Sequence, residues 1–301
     1  MTNPETTRHE PVLLTEVLEY LHPQPNKLYL DATFGGGGHT SAILDAEEGC
    51  SVVAMDWDQQ GLDRNGPPLE EKYGERLSLC WGNFATADRN LKKIGITQID
   101  GALADFGTAM YQLKHGAGFS FAHDTPLDMR MSPAHGQVTA AQLLNKASES
   151  KLREIFFEYG QEPQAKRIAY AIVTERAKRP FVTTRQLAQL VEGLIPRTRG
   201  IHPATRVFQA LRIYINRELD NIRSFLPAVE RIIRPGGRLV VITFHSLEDQ
   251  IVKHYFKTAE QEGRMKILTP SPVSASEDEV QRNPASRSAK LRAAQILQRE
   301  L

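Results

Sequence analysis

The strongest constraint in this chain is a short apolar run that ends in an acid and then breaks into four glycines. Lys27-Leu-Tyr-Leu-Asp31 leads through Ala-Thr-Phe into Gly35-Gly-Gly-Gly38 and His39. The run reads as a buried strand, and a helix beginning near His39 follows it. Glycines at that junction take φ values that other residues resist and let a ligand pass close to the backbone. The start of a helix adds amide donors to the bend. A tight turn with no ligand is the alternative. Asp56 lies 18 residues past Gly38 and closes a second strand, Ser51-Val-Val-Ala-Met-Asp56. In dinucleotide and adenosyl sites an acid at that place accepts hydrogen bonds from ribose hydroxyls. Strand, glycine bend, helix, strand and acid, in that order, point to a nucleoside ligand.

The same alternation continues. Arg76-Leu-Ser-Leu-Cys80 reads as a third strand and Ile99-Asp-Gly-Ala-Leu-Ala-Asp105 as a fourth. Short apolar runs separated by helical lengths predict βα units and a parallel sheet. Phe106 to Gln137, rich in Gly, Pro, His and Phe, predicts an ordered loop. From Val138 to Arg217 only helical periods appear, with Phe156, Ile168, Ile172 and Val173 on one apolar face and Leu187, Leu190, Val191 and Leu194 on another. A helix then runs through Leu219, Ile222, Phe225, Val229 and Ile232, with Pro227 inside it, until Arg234-Pro-Gly-Gly237 breaks it. Arg238-Leu-Val-Val-Ile-Thr-Phe244 is a buried strand. Thr258 to Ser288 is polar and predicts a surface loop. Ser288 to Ala294 either returns to the sheet or faces a substrate. The expected fold class is α/β, a Rossmann-like sheet with an inserted all-helical domain. The expected domains are 1–112 and 213–301 for the two parts of the sheet domain, and 113–212 for the helical insert.

Charge narrows the function classes. The chain carries 37 basic and 36 acidic residues, so no overall field draws it to nucleic acid or membrane. The segment from Lys151 to Arg217 holds 13 basic residues against five acids, which leaves the rest of the chain at −7. A local basic surface suggests a polyanion partner, and a solvated helical face is the alternative. Cys50 and Cys80 stand alone, which excludes a disulfide framework and a zinc site built on cysteines. Met1 to Pro11 has no apolar core and no run approaches 18 apolar residues, so a cytoplasmic enzyme or binding protein is expected.

The glycines do not form G-x-G-x-x-G, which weakens a dinucleotide reading, and no Lys-Ser/Thr follows them, which excludes a P-loop. Phe84, in Trp81-Gly-Asn-Phe84, packs on an adenine ring or closes the core at a strand end. Asp105 ends the fourth strand, where a carboxylate faces a ligand in the switch-point crevice or caps a turn. Gly118-Phe-Ser-Phe121 and Leu127-Asp-Met-Arg-Met131 mix apolar side chains with Asp128 and Arg130, as loops that cover a site do; a plug between domains is the alternative. His202-Pro-Ala-Thr-Arg206 and Phe208-Gln-Ala-Leu-Arg212 combine rings with guanidinium groups, a pairing that suits RNA as well as it suits a salt-bridged helix. His245, in His245-Ser-Leu-Glu-Asp249, is a candidate base, with a helix cap at Ser246 the blander account.

Taken together, these segments resemble the family of bacterial ribosomal RNA small-subunit methyltransferase H. The resemblance runs from His9-Glu-Pro-Val-Leu-Leu14 through the glycine bend, the Phe-rich and Asp128–Arg130 loops and the His202 and Phe208 blocks. It ends in Gly236-Gly-Arg-Leu239, Phe244-His-Ser-Leu-Glu-Asp249 and Asn283-Pro-Ala-Ser-Arg-Ser-Ala-Lys-Leu-Arg292. It implies a class I S-adenosylmethionine-dependent methyltransferase sheet. It also implies S-adenosylmethionine as methyl donor and methylation of the N4 amine of a decoding-centre cytidine (cytidine 1402) in 16S ribosomal RNA of the small subunit. The cofactor contacts it implies are Gly37, Gly38, His39, Asp56, Phe84, Asp105 and Gln112. Catalytic candidates are Asp105 first and Asp128 second, with RNA contacts at Arg206, Arg212, Lys290 and Arg292. Phe119, Phe121 and Tyr111 are candidates to stack on a base turned out of the RNA. The chain departs from the family where Asp-Leu-Gly-Val-Ser-Ser is usual: here Asp105-Phe-Gly-Thr-Ala-Met-Tyr-Gln112 lacks both serines. Ala117 and Gln250 stand where the family carries arginines. Other readings are a methyltransferase of the same fold with another substrate, an RNA-binding paralogue that keeps cofactor without turnover, and, weakest, a nicotinamide-dependent dehydrogenase.

Overall fold

Buried apolar runs that alternate with helices assemble into one eight-stranded sheet. The structure, a computed structural model, describes residues 11–106, 117–132, 138–196 and 202–298. It divides into two units, Met1–Gly107 with Leu219–Leu301, and Thr108–Glu218.

In the first unit the strands are β1 (Leu28–Asp31), β2 (Ser51–Asp56), β3 (Leu77–Trp81), β4 (Ile99–Asp105), β5 (Ile233–Thr243), β6 (Met265–Ile267), β7 (Val273–Ser274) and β8 (Lys290–Ile296). Their spatial order is β3-β2-β1-β4-β5-β8-β6, with β7 also on β8. Strands β1 to β5 are parallel, and β8 returns antiparallel beside β5. The chain leaves β1 toward β2 on one side and reaches β4 on the other, so the sheet reverses direction between β1 and β4. A crevice opens at the carboxyl ends of strands at such a point.

Both faces are covered, and the alternation of each strand shows it. Val53, Met55, Ala102, Ala104 and Val241 share a core with Ile222, Phe225 and Val229 of α11 (Glu218–Ile232), named here in chain order among the described helices. Val52, Ala54, Leu103, Val240 and Ile242 share the opposite core with Val17 of α1 (Leu14–Leu21) and Ile43 and Leu44 of α2 (Gly38–Ala46). Strands buried on both faces read as near-continuous apolar runs, which is why they are visible in the sequence. The remaining helices of this unit are α3 (Gln59–Asn65), α4 (Pro67–Tyr73), α5 (Ala87–Lys93), α12 (Ser246–Gln261) and α13 (Glu277–Arg282).

Three expectations change. The Pro-Gly-Gly segment lies inside β5, which starts at Ile233; the pairing with β4 shifts register between Ile99 and Gly101 and absorbs Arg234–Gly237 as an irregularity. Gly236 has φ +86°, and a Cβ on Gly237 would stand 2.4 Å from the Asp100 carbonyl, so glycines are required there. The region expected as a loop from Thr258 to Ser288 holds the end of α12, β6, β7 and α13. The cap of α12 is His245, not Ser246: its Nδ1 accepts from the Glu248 amide, and Glu248 accepts from the His245 amide.

The second unit is helical. Helices α6 (Ala140–Lys146), α7 (Glu149–Glu158), α8 (Ala165–Arg176), α9 (Thr184–Leu194) and α10 (Thr205–Asn216) bury Leu144, Ile155, Phe156, Ile168, Ile172, Leu187, Val191 and Leu211 in one core. Residues 117–132 lie against it without a helix or strand, joined by a single bridge from Pro126 to Thr183. Met129 takes φ +64° there, fully buried, and Asn216 holds the segment by donating to the Met129 carbonyl and accepting from the Met131 amide, both at 2.8 Å.

Candidate functional site

The bend between β1 and α2 begins with Asp31, a fully buried carboxylate. It accepts from the Thr33 amide at 3.1 Å and from the Thr40 hydroxyl at 2.6 Å, which ties the strand end to the first turns of α2. Burial pushes its pKa up, and His39 and these donors oppose the rise. Thr33 also accepts from the Asp105 amide at 2.7 Å, so the bend is fixed to the end of β4.

The four glycines do different things. Gly35 and Gly37 have positive φ, +53° and +75°. A Cβ on Gly37 would meet Leu69 at 2.4 Å and Phe34 at 2.9 Å, and one on Gly38 would press on Pro11 at 3.2 Å. A Cβ on Gly36 would meet nothing within 4 Å. Gly37 and Gly38 are therefore required by conformation and packing. Gly36 leaves an open side to the bend, while Gly37 and Gly38, the two glycines expected to contact a cofactor, also meet packing demands of the fold.

Asp56 sits at the end of β2 with both oxygens oriented by backbone. Oδ2 accepts from the Gly35 amide at 2.8 Å and Oδ1 from the Asp58 amide at 2.9 Å. Burial raises its pKa to about 6 against the pull of those two bonds, and the nearby Asp58 and Asp31 add to the rise. Each carboxylate oxygen can accept more than one bond, so acceptor capacity is left for a ligand. Asn65 braces the same turn by donating to the Gly35 carbonyl at 2.8 Å.

His39 is buried in α2. Its Nε2–H donates to the Val12 carbonyl at 2.9 Å, which turns Nδ1 toward Asp105, 3.9 Å from Oδ2. Asp105 is therefore held at the carboxyl end of β4 from two sides, by Thr33 through its amide and beside the imidazole of His39. Phe84 is half-buried and belongs to an aromatic trio, 5.3 Å from Phe106 and 5.6 Å from Phe225 between ring centroids. One side of Phe84 closes the core, and the ring stands just past the carboxyl end of β3. Thr33, Asn65 and Thr40 were not legible beforehand, because their work is to brace backbone and short polar residues in turns carry no distinctive pattern.

Asp128 lies in the helical unit. Arg130 forks onto it, Nε to Oδ1 at 2.6 Å and Nη2 to Oδ2 at 2.8 Å, and the guanidinium holds its carboxyl below the ordinary range. Phe121 is stacked on His202 at 4.3 Å and edge-on to Phe208 at 5.1 Å, so it plugs its own unit. His202 is bonded to Glu192 at 2.7 Å. Gln112 and Tyr111 lie outside the described residues.

The four expected RNA contacts separate sharply. Arg206 is exposed, its Nη1 resting 3.4 Å from the Gln161 carbonyl. Lys290 is half-exposed, 3.7 Å from Asp249. Arg212 instead forks onto the buried Glu218, with bonds of 2.9 and 3.0 Å. Arg292 is 6% exposed and forks onto Asp249 between β8 and α12 at 2.7 and 3.2 Å. Each segment has two readings in the sequence, RNA contact or a salt-bridged helix for Arg212 and RNA contact or a return to the sheet for Arg292; in the fold their guanidinium groups are occupied by carboxylates six and 43 positions away, and Arg292 lies in β8.

The MraW methylase family matches residues 6–297 of the chain. The chain is 45% identical to the Ribosomal RNA small subunit methyltransferase H of Thermomicrobium roseum, over 98% of this chain and 95% of that one. It is 45% identical to the protein of the same name from Thermotoga neapolitana, over 97% of each. With that of Syntrophotalea carbinolica it shares 44%, over 96% of this chain and 98% of the other.

Proposed function

The chain belongs to the MraW methylase family and is a methyltransferase, and on that premise we propose that it methylates the N4 amine of a decoding-centre cytidine in 16S ribosomal RNA, with S-adenosylmethionine as donor and the small ribosomal subunit as substrate. The observation that carries this reading is the full-length likeness, 44–45% identity end to end, to proteins named as small-subunit ribosomal RNA methyltransferases. A ribosomal substrate places the reaction in the cytoplasm.

The residues of the bend fit such a donor. Gly36 leaves room beside the backbone, and Asp56 keeps acceptor capacity for the two ribose hydroxyls. Gly37, Gly38 and His39 shape the wall and Phe84 offers a ring edge for the adenine; the family resemblance adds Gln112 as a contact. When bound, the sulfonium supplies an electrophilic methyl group with a good leaving group, so orientation is what the protein must add. The cytosine amine is a poor nucleophile because its lone pair is delocalised into the ring. A carboxylate that accepts an amine hydrogen turns that lone pair out of conjugation and removes the proton as the bond forms. We assign that role to Asp105, held by Thr33 and facing His39. Asp128, neutralised by Arg130, is the weaker candidate. The helical insert serves substrate recognition, with Arg206 an accessible cation there and Lys290 of β8 one on the sheet unit.

The test is transfer of labelled methyl from S-adenosylmethionine to small subunits that lack the modification, with the nucleotide mapped by mass spectrometry. Label on the cytidine N4 is expected; label on another base or on protein would overturn the substrate. The absence of both serines before Gln112 favours one rival, a cofactor-binding paralogue without turnover. Donor binding with no label on any subunit component would select that rival.

A further inference from the structure

The helical unit presents one surface that its own fold does not explain. Five of its cations are neutralised within the unit: Lys151 by Glu154, Lys178 by Glu175, Arg185 by Asp124, Arg130 by Asp128 and Arg212 by Glu218. Arg176 donates to the carbonyls of Leu144 and Ala147. Among the described residues, the exposed Lys146, Arg153 and Arg179 also lack such a partner, but of the exposed cations without one only Lys166 and Arg167 stand side by side. They occupy the first turn of α8, which contains no acid. Cations there oppose the helix dipole, so helix stability does not account for them.

One turn further on stands Tyr170, 62% exposed, the most exposed large apolar side chain among the described residues. With spacings of four and three, Lys166, Arg167 and Tyr170 share one outward face of α8, opposite the buried Ile168, Ala169 and Ile172. Arg206 lies beside the start of this helix, its guanidinium resting on the Gln161 carbonyl. The neighbouring helix α7 also exposes an aromatic, Phe157, but Glu154 and Glu158 flank it, so its field does not favour a polyanion.

We propose that this face of α8, with Arg206, is a docking strip for single-stranded RNA, in which the three cations contact successive phosphates and Tyr170 stacks on an unpaired base. The combination fits that occupant. A basic track binds the backbone of a single strand, and an aromatic face accepts any base. A protein partner would have to set a carboxylate against each of the three cations as well as seat the ring, whereas a nucleic acid strand supplies both by its repeat. The strip deepens the ribosomal RNA reading by naming where the substrate lies on the insert, and it rests on that reading.

The experiment uses the full chain and a fluorescein-labelled, unstructured oligoribonucleotide, with affinity measured over a salt series. Methyl transfer to small subunits and calorimetric binding of S-adenosylmethionine are followed in parallel. Lys166→Gln with Arg167→Gln is expected to flatten the log–log salt dependence by about 1.4, from about 0.7 per lost phosphate contact on a single strand. Tyr170→Ala is expected to weaken oligonucleotide binding by about five-fold or more, and Tyr170→Phe to restore it, because stacking needs the ring and not the hydroxyl. Donor affinity stays unchanged in all three, which shows that the sheet unit is intact. Wild-type affinity for the oligonucleotide in every variant, or an unaltered protein that does not bind it, overturns the strip. Binding that falls with the cations but ignores Tyr170→Ala, and is matched by heparin, reduces the face to a plain polyanion site and overturns it as stated. Failure of the unaltered protein to label any subunit overturns the substrate reading instead and leaves the oligonucleotide result to stand on its own.

Discussion

At the scale of single residues, burial decides which charges are available for function. Asp56 makes this quantitative. Its folded pKa is raised to about 6 from 3.8 by burial, so between those values the folded protein binds more protons than the unfolded chain. Stability from this group is therefore greatest below about pH 4 and falls as pH rises through about 6, by roughly 3 kcal/mol at 1.36 kcal/mol per unit. Donor hydroxyls from a ligand favour the ionised form and reverse that trend. Binding of S-adenosylmethionine at pH 6 is expected to release up to about half a proton, since about half of the free folded protein carries a proton on Asp56 there. Calorimetry in two buffers of different ionisation enthalpy reads this directly, and no buffer dependence would remove Asp56 from the ligand. The arginines give a second contrast. Arg292→Leu leaves Asp249 buried with only the more distant Lys290, and is expected to cost about 3–5 kcal/mol in urea unfolding. Arg212→Leu is expected to act in the same direction by exposing Glu218 to the same penalty. Arg206→Ala should leave the unfolding midpoint within about 0.5 kcal/mol of wild type and lower RNA affinity alone. If Arg206→Ala unfolds the protein and Arg292→Leu does not, their assignments are exchanged.

At the scale of elements, the bend between β1 and α2 separates what the fold needs from what a ligand needs. Gly37→Ala forces a side chain into a position 2.4 Å from Leu69 at φ +75°, and a loss of roughly 1–3 kcal/mol is expected. Gly36→Ala meets no neighbour and is expected to keep the melting temperature while weakening donor affinity by about ten-fold or more, since the added methyl enters the space assigned to the ligand. Equal donor affinity in Gly36→Ala would move the donor away from this bend. The same division explains what the sequence could reveal. Strands β1, β2, β4 and the second half of β5 are buried on both faces, so each is a local apolar run bounded by an acid or a turn. Asp31, Asp56 and Asp105 were visible because a strand end is a definite place. By contrast, β6 and β7 are three and two residues long and show no period, and β8 pins them from the far end of the chain. The start of β5 was hidden because a Pro-Gly-Gly normally ends an element, and only pairing with β4 makes it a strand. The roles of Arg212 and Arg292 were hidden for another reason: a guanidinium is the same letter whether it faces RNA or a buried carboxylate.

At the scale of the whole molecule, charge is divided between the units. Thr108 to Glu218 carries +7 and the remainder −6, so the two ligands of the proposed reaction meet different fields. Within the helical unit, six exposed cations have no carboxylate partner given among the described residues: Lys146, Arg153, Lys166, Arg167, Arg179 and Arg206. If each contacts one phosphate, the expected log–log slope is about −4.2 to −5.4, at about 0.7–0.9 per contact. Raising monovalent salt from about 50 to about 300 mM should then weaken binding to small subunits by about three to four orders of magnitude. The donor contacts proposed in the sheet unit are an enclosed carboxylate and backbone groups, which salt screens poorly. Donor affinity should change by less than about two-fold over the same range. Filter binding to small subunits and calorimetry with S-adenosylmethionine, run in the same buffers, measure both. A flat subunit response would mean that the basic face is only solvated surface. Parallel loss of both affinities would mean that the donor and the RNA draw on the same charges, and the assignment of cofactor to the sheet and polyanion to the helical insert would fail together.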